Sequence, residues 1–216
     1  MSNALDLKQI ERKAFRSTHQ DGLLDIYLGG IVVALAITMY RPAGGYTPNN
    51  ILIMLLLYTV IGGLFWVGKK FVTVPRMGQV RFGPMRKQKK KLMAIILVII
   101  VIIQALFVGL TAVSRANPGF GVRLFGNLNA DQGSYLVAAI VAFFIGPPML
   151  LIAYFIDFLR GYYIAILMAL AASLMFLINN PMYPIVIGAL IILPGLVLFF
   201  SFLKKYPLPQ GGDPVK

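Results

Sequence analysis

The chain has 216 residues, of which 59% are hydrophobic and 12% charged, with a formal net charge of +13 and a mean hydropathy of +0.82. Since an ordinary soluble domain carries about 25% charged residues, this composition excludes a water-soluble globular fold. The sequence contains no cysteine, which excludes disulfides, thiolate nucleophiles and cysteine-ligated metals.

Residues 1–21 are polar and lack the apolar core and cleavage site of a secretory signal peptide. Leu7, Ile10 and Phe15 recur at helical spacing among basic residues, which predicts an amphipathic helix on the cytoplasmic membrane surface. Thr18 and Asp21 fit a capping box, with Asp21 favoured in the first turn of the following helix.

Six apolar stretches follow, each close to the roughly 20 residues that a helix needs to cross a bilayer core about 30 Å thick. The sequence therefore predicts an all-α integral membrane protein, a six-transmembrane-helix bundle that forms a single domain over residues 22–206. Residues 207–216 are predicted to be a flexible tail. The predicted spans are 22–40, 51–68, 92–113, 135–156, 161–178 and 183–203.

Lysine and arginine are distributed unequally between the alternate connecting segments. One side receives four in the N-terminal segment, nine in residues 69–91, Arg160 and three at the C-terminal end, whereas the other receives only Arg41, Arg115 and Arg123. Because basic loops stay in the cytoplasm, both termini are predicted to be cytoplasmic.

The basic cytoplasmic loop 69–91 is predicted to contact anionic lipid or a partner protein rather than nucleic acid, because no aromatic-basic recognition module accompanies its charges. Phe71, Val72 and Val74 on one side of a Pro-Arg-Met-Gly turn signal, with Val80 and Phe82 on the other, favour a small β-hairpin. An irregular loop is the alternative. The predicted contact residues are Lys69, Lys70, Arg76, Arg81, Arg86, Lys87, Lys89, Lys90 and Lys91.

Two helical hairpins of the sequence look alike. Asp25 to Gly29 opens the first span and Asp157 to Gly161 opens the fifth, and pairs of lysines end the second and sixth spans. Both hairpins run in the same direction, so a duplication would be a parallel repeat. Chance similarity between apolar segments is the alternative.

Three short motifs resemble those of an uncharacterised family of small multi-pass prokaryotic inner-membrane proteins. They are Gln20-Asp21-Gly22-Leu23 with Asp25, Ile26 and Gly29; Pro75-Arg76-Met77-Gly78 with Val80 and Phe82; and Phe202-Leu203-Lys204-Lys205-Tyr206-Pro207. The sequence departs from the family pattern at Met77 and Gln79. The resemblance implies a six-helix protein of the prokaryotic plasma membrane and supplies no activity.

The chemical inventory is small. His19 is the single histidine and lies outside the predicted spans, so no histidine metal site, catalytic constellation or cofactor is predicted. Asp25 and Asp157 lie near the cytoplasmic ends of their spans and form a possible gate or cation site. The alternative is interfacial anchoring, with Arg160 at i+3 as a partner for Asp157 and a neighbouring Arg or Lys for Asp25.

Prolines interrupt two spans. Pro147 and Pro148 are expected to break the fourth span near its midpoint and Pro194 the sixth, freeing carbonyls that need other partners. With Gln104, an amide halfway along the third span, these breaks could line a polar transport site. Kinks that only shape helix packing are the alternative.

Small residues recur every fourth position on two neighbouring spans, at Ala138, Ala142 and Gly146 and at Ala165, Ala169 and Ser173, which predicts close packing of the fourth and fifth spans.

The function that these observations favour is a non-enzymatic membrane accessory or scaffold protein, whose basic cytoplasmic face contacts anionic phospholipid or a partner. A membrane-protein partner or a homo-oligomer would fit. The alternative is a small channel or transporter that uses the proline-containing fourth and sixth helices.

Overall fold

A computed structural model describes residues 19–39, 48–77, 84–126 and 129–207. Within these ranges the chain is helical and contains no strand, as the all-α prediction requires. Residues 1–18, with the predicted amphipathic helix, and most of the predicted tail lie outside the described residues.

Eight α-helices and one π-helical segment make up the described chain. Five helices are long and apolar enough to cross a membrane, and α1, with 17 residues, is a shorter apolar helix. The elements are α1 (Leu23–Met39), α2 (Pro48–Gly68), the π segment (Lys69–Thr73), α3 (Val74–Met77), α4 (Pro84–Ala116), α5 (Pro118–Phe125), α6 (Ala130–Phe155), α7 (Arg160–Ile178) and α8 (Met182–Lys205).

Helix α1 lies at the centre of the bundle, in contact with α2, α7 and α8, whereas α6 packs on α7 and α4 packs on α6. The core between α1, α7 and α8 is apolar, and Val32, Ile164 and Ile191 are almost completely buried there. The apolar stretches of α2 and α4 contain no buried residue. These two helices therefore form the periphery.

The contact between α1 and α8 depends on two pairs of glycines spaced seven residues apart, Gly22 and Gly29 at the start of α1 and Gly188 and Gly195 in α8. A Cβ at Gly188 would lie 3.0 Å from the Gly29 carbonyl and 2.6 Å from Val33 Cγ2, and one at Gly22 would collide with the Gly195 carbonyl. Without side chains at these positions the two backbones approach closely. Gly22 also has φ +73°, a left-handed conformation that glycine adopts without strain.

The predicted close packing of the fourth and fifth spans is confirmed by α6 and α7. Ser173 Oγ donates a hydrogen bond across the interface to the Ala138 carbonyl, at 3.0 Å. A Cβ at Gly146 would meet the Ala169 Cβ at an ordinary 3.5 Å. The small residues thus let α6 and α7 share backbone as well as side-chain contacts.

The hairpin prediction is wrong for residues 69–77, which extend α2 as the π segment and α3. Val74 N–H bonds the Lys69 carbonyl five residues back, the π-helical pattern. Pro75 has no N–H to donate to the carbonyl of residue 71, as a regular α-helix would require. The π-helical turn therefore lies directly before the position where an α-helix would lose a hydrogen bond. The bonds from Lys69 and Thr73 to Asp21 hold this segment in helical form despite the strand propensity of its valines. Val80 and Phe82 lie outside the described residues.

The expectation that prolines break the fourth and sixth spans is also wrong. Helix α6 continues through Pro147 and Pro148, and α8 continues through Pro194. Neighbouring helices can satisfy the carbonyls that an internal proline frees in a membrane helix, and α6 contains such a case.

Candidate functional site

Two buried carboxylates mark the end of the bundle where α1 begins. Asp21 and Asp25 have no exposed surface. Asp21 lies in the turn before α1 and Asp25 in the first turn of α1. A buried charge is tolerated when it is paired and hydrogen-bonded. Each of the two has a basic partner from another helix, and we call the two pairs together the polar clasp.

Arg160, the first residue of α7, holds Asp25 in a bidentate ion pair. Its Nε donates to Asp25 Oδ1 and its Nη2 to Oδ2, both at 3.0 Å. Nη2 also donates to the His19 carbonyl at 2.8 Å. The guanidinium therefore ties α7 both to α1 and to the turn before it.

Asp21 holds the extension of α2 against the start of α1. Lys69 Nζ lies 2.7 Å from Asp21 Oδ2, and Thr73 Oγ1 donates to the same oxygen at 2.6 Å. The other oxygen accepts from Leu23 N–H at 3.3 Å. The sequence predicts Asp21 in the first turn of the helix, whereas α1 begins at Leu23, so Asp21 lies before the helix and bonds its first amide. Thr18, the other half of the predicted capping box, lies outside the described residues.

A polar pocket of about 210 Å³ lies beside the clasp, lined by His19, Gln20, Asp157 and Arg160 together with Phe158 and Leu159. Asp157 has φ +53° and lies in the turn between α6 and α7. Asp25 lies within α1 instead, so the two carboxylates are not placed equivalently, although the sequence likens the segments that contain them. Arg160, which the sequence pairs with Asp157, bonds Asp25 across the bundle.

Gln104, the amide at mid-span in α4, donates its Nε2–H to the Phe144 carbonyl of α6 at 2.9 Å. Phe144 is four residues before Pro148, so its carbonyl is the one that the proline deprives of a helical N–H. Phe107 stacks edge-on against Phe144 beside this bond, with ring centroids 5.5 Å apart. Gln104 and Pro148 therefore form one structural unit that joins α4 to α6.

The remaining predicted contact residues lie on or near the basic end. Lys70 is exposed and stacks over the Trp66 ring, with Nζ 4.7 Å from its centroid. Arg76 donates from Nη1 to the Val72 carbonyl at 3.1 Å, and its Nε is buried without a hydrogen-bond partner among the described residues. Lys87, Lys89, Lys90 and Lys91 are exposed in the first turns of α4. Arg81 lies outside the described residues, and Arg86 belongs to α4.

Three members of the site escape sequence reasoning: the Thr73 hydroxyl, the His19 carbonyl and the Phe144 carbonyl. Two are backbone groups, which leave no mark in residue identity. Phe144 could have been found by counting four residues back from Pro148. Within the described part of the chain, no three His, Asp or Glu side chains are grouped as ligands of a metal ion would be.

The fold and site define an all-helical protein whose long apolar helices can cross a membrane and whose buried charges are paired at one end. No protein-family model matches the chain, and comparisons with curated proteins and with solved structures gave no significant match.

Proposed function

We propose that this chain is a non-enzymatic accessory or scaffold protein of the prokaryotic plasma membrane, which crosses the bilayer six times with both termini in the cytoplasm. Its basic cytoplasmic face contacts anionic lipid or a partner protein. The observation that carries the proposal is the polar clasp, where two buried carboxylates at the start of α1, Asp21 and Asp25, form ion pairs with Lys69 and Arg160.

The sixth crossing rests on α1. Its 17 residues rise about 26 Å, at the short end of what spans a bilayer core. Helix α1 is in contact with α2, α7 and α8. Its residues are as apolar as those of these three helices. The positive-inside rule then puts the end with the clasp and the exposed lysines of α4 in the cytoplasm.

A transport function draws less support from the same residues. Gln104, the centre of the proposed transport site, is bonded to the Phe144 carbonyl, and the proline-containing helices are continuous. Between α1, α7 and α8 the described interior is filled with apolar side chains.

The topology is tested with reporter fusions after Gln88 and Ser114, at opposite ends of α4. We expect the Gln88 reporter to be cytoplasmic and the Ser114 reporter to be on the far side. Both reporters in one compartment would overturn the six-span arrangement.

The role is tested by purification in mild detergent from the native membrane, comparing the wild type with a variant in which Lys87, Lys89 and Lys90 are replaced by Gln. These lysines are exposed, so folding should not change. We expect a stoichiometric partner protein or anionic lipid to be lost from the variant. Ion or solute flux in liposomes that disappears with Asp25→Asn or Gln104→Ala would instead establish transport.

A further inference from the structure

An apolar cleft of about 300 Å³ lies between α1 and α6, with α7 behind it. Both helices pack on α7, and the cleft is the space that remains between them. Its walls include Leu24 and Ile31 from α1 and Met149 and Ile152 from α6, with Ile156 directly after α6 and Met168 of α7 at the back.

The cleft extends through about two thirds of one membrane leaflet. Its wall on α1 runs from Leu24 to Ile31, seven residue steps that rise about 10 Å. Half of a bilayer core is about 15 Å. Since Leu24 adjoins Asp25, the cleft begins at the polar clasp and runs into the leaflet on the basic side.

The polar pocket adjoins the shallow end of this cleft, because Phe158 lines both. Arg160 lines the pocket together with Gln20, His19 and Asp157. Its guanidinium is bound to Asp25 on one side, and its side chain is 27% exposed. Guanidinium is the side-chain group best matched to phosphate oxygens. A polar pocket with a cation at headgroup depth, next to an apolar cleft at chain depth, matches an amphipathic ligand.

We propose that this composite site binds a single glycerophospholipid, with one acyl chain in the cleft between α1 and α6 and the phosphate in the polar pocket beside Arg160. The proposal rests on the membrane insertion in the proposed function, but not on the scaffold role. Lipid chains are the apolar molecules that surround a membrane-spanning bundle, and a cleft walled by Leu, Ile and Met offers water no hydrogen bonds. The ligand would join α1 to α6, which otherwise meet through α7.

The test is native mass spectrometry of the delipidated full chain, titrated in detergent with phosphatidylglycerol or with the diacylglycerol of the same chains. We expect one phosphatidylglycerol per chain. Diacylglycerol should bind about tenfold more weakly, because it lacks the charge-assisted contact to Arg160. Equal affinity for the two lipids would overturn the phosphate assignment.

Three variants separate the site from general lipid contact. Ile152→Trp fills the cleft and should lower the affinity about tenfold, whereas Leu106→Trp, at a position of α4 that is 70% exposed, should leave it unchanged. Gln20→Leu alters the pocket without touching the ion pair and should weaken phosphatidylglycerol alone. Undiminished binding by Ile152→Trp would overturn the proposal.

A photo-crosslinker at Ile152 identifies the occupant in reconstituted vesicles of phosphatidylglycerol and phosphatidylethanolamine. Crosslinks to phospholipid support the proposal, and crosslinks to residues 1–18 of the same chain overturn it. If the reporter fusions support the six-span topology while these lipid experiments fail, the lipid site alone is wrong. If the topology fails, both proposals are wrong.

Discussion

Arg160 binds both carboxylate oxygens of Asp25, a residue 135 positions earlier in the chain. Asp25 is fully buried, and an added Cβ at Gly195 would lie 2.9 Å from the Asp25 Cβ. One ion pair therefore sits where α1, α7 and α8 meet, and the space it occupies is provided by a glycine of the third helix.

Replacing Arg160 by Gln should lower the free energy of unfolding by about 3 kcal/mol, the lower part of the range for breaking a buried pair. The lower part applies because about a quarter of the arginine side chain is exposed. The measurement is reversible unfolding in mixed detergent micelles. Arg123→Gln, which removes an exposed cation of α5, is the control and should change little. A comparable loss in both variants would mean that net charge, not the pair, matters.

Replacing Thr73 by Val should cost about 2 kcal/mol, since it removes a hydrogen bond to the buried Asp21 carboxylate. Thr59→Val is a matched control, because the Thr59 hydroxyl bonds only the Leu55 carbonyl of its own helix, at an exposed position. The same unfolding measurement applies, together with the rate of amine labelling at Lys69, which should rise in Thr73→Val. Equal effects of the two substitutions would contradict the role given to Asp21.

Gln104→Leu should lower stability by about 1 kcal/mol, the usual worth of an inter-helix hydrogen bond in a membrane protein. The diagnostic is a double-mutant cycle with Pro148→Ala. In that background residue 148 has an N–H for the Phe144 carbonyl, so the loss of Gln104 should cost close to nothing. If Gln104→Leu costs the same with and without Pro148, the amide does not serve that carbonyl.

Gly188→Ala should destabilise the protein by about 1–3 kcal/mol, the usual cost of overpacking, because the new Cβ would meet Val33 and the Gly29 carbonyl. Gly109→Ala, where no atom lies within 4 Å of the added Cβ, should be neutral or stabilising by up to about 1 kcal/mol through helix propensity. Thermal unfolding in detergent distinguishes them. Similar midpoints for both variants would mean that α1 and α8 do not approach at Gly188.

The sequence predicts where the helices lie along the chain better than it predicts which helices pack against each other. Hydropathy marks each apolar stretch because a bilayer demands long apolar helices, and the small-residue spacing around Ala138 and Ser173 identifies α6 and α7 as partners. The order of helices around the bundle depends on contacts between distant segments. The pairing of α1 with α8 is therefore missed, although Gly22 and Gly29 repeat the seven-residue spacing of Gly188 and Gly195.

In the candidate site too, the sequence identifies single residues but not the partners that they bind. Asp25 and Gln104 stand out in sequence because polar groups within apolar stretches are costly. Their partners could not be assigned, because Arg160 reaches Asp25 only once α7 lies beside α1. The segment Lys69 to Met77 was predicted as a hairpin because Val72, Thr73 and Val74 favour strands locally. The bond from Thr73 to Asp21 is a contact between distant segments, which local propensity does not reveal.

Because α1 packs against α8 through glycines, the centre of the bundle is completed only after the last described helix has been synthesised. The ribosome delivers α1 early and α8 only after more than a hundred further residues, so the innermost helix inserts before its main neighbour exists. Asp25 can pair with Arg160 as soon as α7 is made, but the glycine face of α1 has no neighbour until α8 is complete. A chain arrested before Gly188 therefore lacks the helix that covers that face.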